Sequence, residues 1–324
     1  MTARRTGRLL AVATAAVVAI AGCLGGDGGR DDFAAAGLDS VVISGGGMTG
    51  IYFGYGGELG EVLAERYGVG AKVLETGGSI DNLRNLADGT AQLAFSTADA
   101  AADATAGREP FSGEVPVQAV ARVYDDFVHL VVPASSDIEA IEDLRGRTVS
   151  LGAEGSGTEI IAGRLLAAAG VATGEIASVC LGIDESIDAM TSGDIDAFFW
   201  SGGLPTPGVQ KLAADLPIRL VPLRDVVDAV RSEYGGGYRH GVVPEGTYGL
   251  DEDVATMAVP NFLMVRADLA DAVAYEIVDT LFDERAVIAQ QVPAAALLDR
   301  SRAIFTEPVD LHPGALRYYR DTKV

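Results

Sequence analysis

Residues 41–57 constrain this chain more than any other stretch. Val41-Val42-Ile43 is a short apolar run of strand type, and Ser44-Gly45-Gly46-Gly47-Met48-Thr49-Gly50 is a glycine-rich turn. Beyond it Leu59, Val62 and Leu63 recur at helical spacing, so the unit reads as strand, glycine turn, helix. Glycines let backbone N–H groups come close to a bound group, and a helix N-terminus favours negative charge. The turn therefore reads as half of a ligand site. Gly45, Gly47 and Gly50 can be fitted to G-x-G-x-x-G, and Glu75 stands where a dinucleotide fold wants an acid. That pattern alone is weak, and a second small-residue turn, Thr76-Gly77-Gly78-Ser79, comes directly after Glu75, so a nucleotide site is the lesser reading.

The unit recurs. Ala71–Glu75 reads as a strand, and after the second turn Ile80, Leu83 and Leu86 mark a helix stopped by Gly89. Ala91–Phe95 is a third strand, followed by Ser96-Thr97-Ala98-Asp99 opening a helix. Three strand–helix units predict a parallel sheet, with a ligand crevice at the carboxyl ends of its strands. Val128–Pro133 reads as a further strand, and a second series then begins. It comprises a strand at Arg147–Leu151, Gly155-Ser156-Gly157-Thr158-Glu159 with Ser156 and Glu159 spaced as a capping box, strands at 179–182, 195–200 and 218–222, and the turn Ser201–Pro207. Residues 231–253 read as irregular, and Met257–Arg266 as a strand able to pair with 128–133. Leu269, Val273, Ile277 and Leu281 mark a late helix. The expected fold class is α/β with two lobes, residues 39–126 plus 268–324 and residues 127–267. Each carries a mostly parallel sheet flanked by helices, and a cleft between them can close by hinge motion.

The first 23 residues read as a targeting segment: Arg4, Arg5 and Arg8, then an apolar run from Leu9 to Ala21, too short to span a bilayer, which takes about 20 residues. Ile20-Ala21-Gly22-Cys23 has the order of a lipobox, with Cys23 as the lipidated residue after cleavage. The paired arginines suit twin-arginine export and leave general secretion open. Residues 24–38 read as a flexible tether. Cys180, in the apolar run 177–181, reads as a buried core thiol, so no disulfide is expected. His129, His240 and His312 are too widely spaced for a zinc site, and no metal or cofactor is expected.

The net charge of −22 excludes a nucleic-acid partner, whose phosphates the chain would repel. Only Lys72, Lys211 and Lys323 are lysines, leaving 21 arginines among 24 cations against 46 acids. A high-GC genome accounts for the arginines but not for the acids. A dense acidic surface suits a protein working in high salt, where screening removes self-repulsion.

Five stretches in order resemble the TAXI family, the extracytoplasmic solute receptors of TRAP transporters. They are Ile43–Gly57; Glu75-Thr76-Gly77-Gly78-Ser79-Ile80-Asp81-Asn82-Leu83; Gly155–Glu159; Asp196-Ala197-Phe198-Phe199 with Gly203-Leu204-Pro205-Thr206-Pro207; and His312–Tyr319. Where that family's first loop commonly has Thr, Gly, Tyr and Pro, this chain has Gly45, Thr49, Phe53 and Gly54. The resemblance implies a type II periplasmic-binding-protein fold and a small anionic solute, a glutamate-like amino acid or dicarboxylate. It also implies a permease partner driven by an ion gradient. The ligand contacts expected from the turns and the resemblance are Gly46, Gly47, Thr49, Tyr52, Thr76, Ser79, Asn82, Ser96, Thr97, Ser156, Gly157, Thr158, Trp200, Gly203 and Pro205. Each has a plainer reading beside it. Tyr52 can simply pack, Ser79 caps its helix, Ser156 caps the next, and Trp200 can be core. Asp99 reads as a helix cap before it reads as a partner for a ligand amine, Glu159 as a cap, and His312 and Tyr318 as structural.

The competing classes are the receptor of an ATP-driven importer, a ligand sensor and, last, an enzyme. For the enzyme, Glu154 occupies the first glycine position of a G-x-S-x-G elbow at Ser156, and no histidine–carboxylate pairing shows. The expected protein is a monomeric receptor held to the outer face of the membrane. Cys23→Ser should release it from membranes on fractionation, and a variant that stays with the bilayer without any partner excludes the lipobox. The melting temperature should fall as molar salt is diluted, because surface carboxylates then repel unscreened; an unchanged value between molar and low salt excludes that dependence.

Overall fold

A computed structural model describes residues 28–235 and 237–323. The targeting segment with Cys23, and residues 24–27 of the expected tether, lie outside the described residues. The remainder of the expected tether is not a tether: Gly28–Ala35 is a helix (α1). Phe33 on it is fully buried, stacked on Tyr67 at 4.8 Å between ring centroids. One aromatic in an otherwise polar stretch is enough to dock a two-turn helix.

The first lobe is built as the repeats predict. Strand β1 is Ser40–Ser44, helix α2 Ile51–Tyr67, β2 Gly70–Leu74, α3 Ser79–Ala87, β3 Leu93–Thr97 and α4 Ala98–Thr105. β1 pairs in parallel with β2 and β3, and every residue of β3 is buried, as a strand covered on both faces requires. Two long strands obey a different rule. β4, Val117–Pro133, runs out of the first lobe, and β10, Val254–Arg266, runs back. Between them lie β5 Thr148–Ser150, α5 Gly157–Ala168, β6 Ala177–Val179, α6 Ile183–Ser192, β7 Ala197–Gly202, α7 Pro207–Asp215, β8 Ile218–Leu220, α8 Arg224–Tyr234 and β9 Arg239–Val243. The strand order is β2-β1-β3-β10-β4-β7-β5-β6, with β8 on β4 and β9 on β10.

The sheet is mixed rather than mostly parallel, because β4 and β10 are antiparallel to each other and to their other partners. β10 pairs with residues 117–127 of β4, not with 128–133, which pair with β7 and β8. Residues 231–253 are not irregular: they hold the end of α8 and all of β9. Cys180 is exposed rather than buried. It comes just after β6, a three-residue edge strand, so nothing covers it.

Each lobe has a core on both faces of its sheet. In the first, Leu263 and Val265 face α2 and α9 (Asp271–Asp283), while Phe262 and Met264 face α3 and α4. In the second, Leu130, Val132 and Phe199 face α5 and α8, while Val131 and Phe198 face α6 and α7. This is the alternation of a strand, read twice. On β4 the core changes over between Tyr124 and Val128; on β10 it does so between Val259 and Phe262, not at residue 267. A single apolar run serves both lobes, so its pattern carries no mark of the change.

Candidate functional site

The carboxyl ends of the strands of both lobes meet at one cleft, with about 630 Å³ of space not filled by atoms, part of it open to solvent. The first lobe contributes Gly46, Gly47, Gly50, Ile51, Tyr52, Thr76, Gly77, Gly78, Ser79 and Thr97. Tyr124 and Asp126 come from β4 where it leaves that lobe, and the second lobe contributes Ala153, Ser156, Gly157, Thr158, Gly182, Ile183, Trp200, Ser201 and Gly202.

Five helices begin in this wall. Gly50 is the N-cap of α2, Gly78 of α3, Thr97 of α4, Ser156 of α5 and Gly182 of α6. Each brings the positive end of a helix dipole, although at α3 the Ile80 and Asp81 N–H groups are already taken up by Gly155 O. Ser156 Oγ accepts from Glu159 N at 3.0 Å, and Glu159 Oε2 accepts from Gly155 N at 3.0 Å, so that capping pair forms. Ser79 does not cap. Gly78 takes the cap at φ +133, and Ser79 Oγ accepts instead from Thr97 N at 3.1 Å. Thr158 Oγ1 accepts from Ser201 N at 3.2 Å, tying α5 to β7.

Of the fifteen expected residues, Gly46, Gly47, Tyr52, Thr76, Ser79, Thr97, Ser156, Gly157, Thr158 and Trp200 line the cleft. Thr49, Asn82, Ser96, Gly203 and Pro205 do not. Thr49 Oγ1 donates to Asp184 Oδ1 at 2.7 Å and so links the lobes. Asn82 is fully buried behind the turns: Oδ1 accepts from Ser44 Oγ at 2.8 Å and lies 2.6 Å from Thr76 Oγ1, and Nδ2 donates to Phe95 O at 2.8 Å. It joins the ends of β1, β2 and β3. Ser96 is fully buried, its Oγ donating to Thr97 O, because alternation on β3 turns it from its neighbour's face. The residues that sequence reasoning missed are Gly50, Ile51, Gly77, Gly78, Tyr124, Asp126, Ala153, Gly182, Ile183, Ser201 and Gly202. Gly50, Gly77, Gly78, Ser201 and Gly202 lie within turns already singled out, whereas Tyr124 and Asp126 sit inside a strand with no turn to mark them.

The lobes touch across the cleft. Ile80 N donates to Gly155 O at 3.0 Å. Arg164 on α5 reaches Asp103 at 2.5 Å and Asp99 at 3.3 Å on α4, and Tyr238 donates to the same Asp99 oxygen at 2.5 Å. Asp99 is therefore engaged by the other lobe and is absent from the cleft wall. A Cβ on Gly77 would overlap Glu154 O, and one on Gly157 would lie 2.8 Å from Ser79 Oγ and Thr97 Oγ1. Glycine at these two places allows the close approach.

The charge of the wall is lopsided. Among its residues there is no Lys, Arg or His, and Asp126 is the one carboxyl. Asp126 is 2% exposed. Burial pushes its pKa up to about 8, with the carboxylates of Asp125 and Asp99 adding to the rise and the Ser201 hydroxyl and the nearby Asn261 amide opposing it. Ser201 Oγ donates to Oδ2 at 3.1 Å, while Oδ1 has no partner. Thr97 Oγ1 is likewise buried without a partner. Tyr52 donates to Asn261 Oδ1. Burial, then Asp126, raises the phenol pKa of both Tyr52 and Tyr124.

Residues 43–322 match the sequence profile of the NMT1-like family. The chain belongs to the NMT1-like family. Solved structures resemble this member over most of its length. A binding-protein component of an ABC phosphonate transporter from Pseudomonas aeruginosa is 12% identical, with a TM-score of 0.53 over 80% of this chain and 79% of its own. An ancestral arginine-binding protein bound to arginine is 15% identical, with a TM-score of 0.51 over 78% and 97%. A Xanthomonas citri protein bound to ATP is 14% identical, with a TM-score of 0.51 over 87% and 95%. At such identities the likeness is one of fold. The family member has the α/β fold of type II periplasmic binding proteins.

The Asp126 carboxyl gives this member of the family a testable pH dependence. Its pKa is higher folded than unfolded, so the native state holds the extra proton from about pH 4 to about pH 8. Its contribution to stability therefore falls as pH rises through that window. Asp126→Asn should melt above wild type at pH 9, by on the order of several kcal/mol, and lose that advantage towards pH 4. Thermal unfolding at fixed salt across this range checks it, and a variant less stable than wild type at pH 9 overturns it.

Proposed function

We propose that this chain is an extracytoplasmic solute receptor that captures a small carboxylate-bearing solute between its lobes and returns it unchanged. The observation that supports this most is the convergence of five helix N-termini on one cleft, two of whose wall residues, Asp126 and Thr97, keep an unpartnered buried oxygen, Oδ1 and Oγ1. Backbone amides there can hold a carboxylate without a cationic side chain. Hydrogen bonds to a charged group in such a place are worth roughly 1.5–3 kcal/mol each. The wall presents serine and threonine hydroxyls but no histidine or lysine to activate one, which favours capture over catalysis.

The partner in this reading is an ion-gradient-driven TRAP permease, on the strength of the five stretches that resemble TAXI receptors. A Cys23 lipid anchor would hold the receptor, as a monomer, at the outer face of the membrane beside it. The receptor of an ATP-driven importer is the alternative, and a neighbouring gene for an ATPase rather than a large multi-span permease would favour it.

A thermal-shift screen of small acids and amino acids in high salt should find a solute that raises the melting temperature, since binding only to the folded state stabilises it. Thr97→Val keeps the shape and removes the free hydroxyl. Calorimetry should show it binding that solute about ten- to a hundredfold more weakly. Unchanged affinity removes Thr97 from the site, and chemical conversion of the solute by wild type moves the protein to the enzymes.

A further inference from the structure

The cleft carries positive potential from backbone and a single carboxyl, Asp126, on its wall. Five helix N-termini face it, while its wall holds no Lys, Arg or His. The arginines on the elements around it are engaged elsewhere: Arg122 with Asp125 at 2.6 Å, Arg164 with Asp99 and Asp103. Asp126 lines the cavity 2% exposed, one oxygen held by Ser201 and the other without any partner. A buried carboxylate oxygen that no protein group satisfies is costly unless a ligand donor meets it.

A solute with two carboxylates would set its second charge in a wall that offers no cation, beside that acid. A purely cationic solute would face the positive ends of five helices. Resting on the receptor reading above, we infer that the solute is a zwitterion with an uncharged remainder. Its carboxylate lies on the helix N-termini, its ammonium donates to Asp126 Oδ1, and the remainder lies along Ile51, Ile183 and Trp200. Asp126 is then the residue that sets specificity, selecting amino acids with uncharged side chains over dicarboxylates.

Proton linkage separates the alternatives. Asp125 on the same strand and Asp99 on α4 face Asp126 as acids, and Tyr52 on α2 lies close enough for the two charges to couple. Ser201 on β7 and Asn261 on β10 approach it as neutral groups. With a pKa of about 8, the free carboxyl is mostly protonated at pH 6–7. Binding an ammonium must expel that proton, so affinity should rise about tenfold from pH 6 to 7 and level off on passing pH 8. A dianion would favour the protonated form and bind more weakly as pH rises.

Calorimetry in high salt can test this with the uncharged L-amino acids from glycine to phenylalanine, L-glutamate, succinate, 4-methylpentanoate and isopentylamine. We expect one or more uncharged amino acids to bind at least tenfold more tightly than the rest, to release close to one proton at pH 7, and to strengthen with pH. Asp126→Asn should weaken them about a hundredfold and abolish the pH slope, while leaving 4-methylpentanoate unaffected, a pattern that misfolding does not produce. If succinate or glutamate binds most tightly and weakens with pH, the zwitterion is excluded while the receptor reading stands. If an uncharged amino acid binds equally well to the Asn variant, Asp126 is not its partner. If no probe binds, the capture of a small carboxylate falls, and this inference with it.

Discussion

The pairing of β4 with β10 is the constraint on which the rest of the molecule depends. Among the described residues these two strands alone enter both lobes, and each contributes side chains to a core on either side of the cleft. Their register runs from Ala258 opposite Phe127 to Arg266 opposite Val117, and it slips between Asn261 and Phe262, where the cores change over. Asp126 stands opposite Val259 and Tyr124 opposite Asn261 at that same crossing. A ligand touching Asp126 would therefore touch the segment that both lobes share.

Closure itself is a matter of backbone meeting backbone. Gly77 against Glu154 O and Gly157 against Ser79 and Thr97 bring the two sets of helix N-termini together, and a methyl group at either place would hold them apart. Arg164 joins the lobes on the far side of α4 and α5 through Asp99, Asp103 and Tyr238, all buried. Ion pairs out of solvent are screened little by salt, whereas the exposed carboxylates behind the −22 net charge are screened strongly. High salt can thus quiet the surface while leaving the contacts between lobes in force.

The same contrast governs the cleft. Under the proposed function any attraction for an anion would come from amide dipoles fixed by helices, not from cations, so an acidic protein with few lysines would lose nothing there. What remains unusual is a buried acid with a free oxygen in the middle of that positive field. The fold supplies its surroundings from four elements, α2, α4, β7 and β10, and none of them neutralises it.

Amino-acid order alone specifies the α/β class, the repeated strand–turn–helix units and most of the small-residue turns that line the cleft. These are local: hydrophobic period, glycine and capping chemistry act within a few residues of one another. It also placed the Ser156–Glu159 cap correctly, for the same reason. The tertiary structure alone decided which turn residues face the cavity and which, like Asn82 and Ser96, point behind it, because one step along a strand reverses the face. It decided that Asp99 is spent on Arg164, sixty-five positions away, and that Phe33 turns a polar stretch into a docked helix. Above all it decided that Asp126 is buried and that β10 serves two cores. A carboxyl's burial and a strand's partners depend on chain segments far apart in sequence, and no local pattern records them.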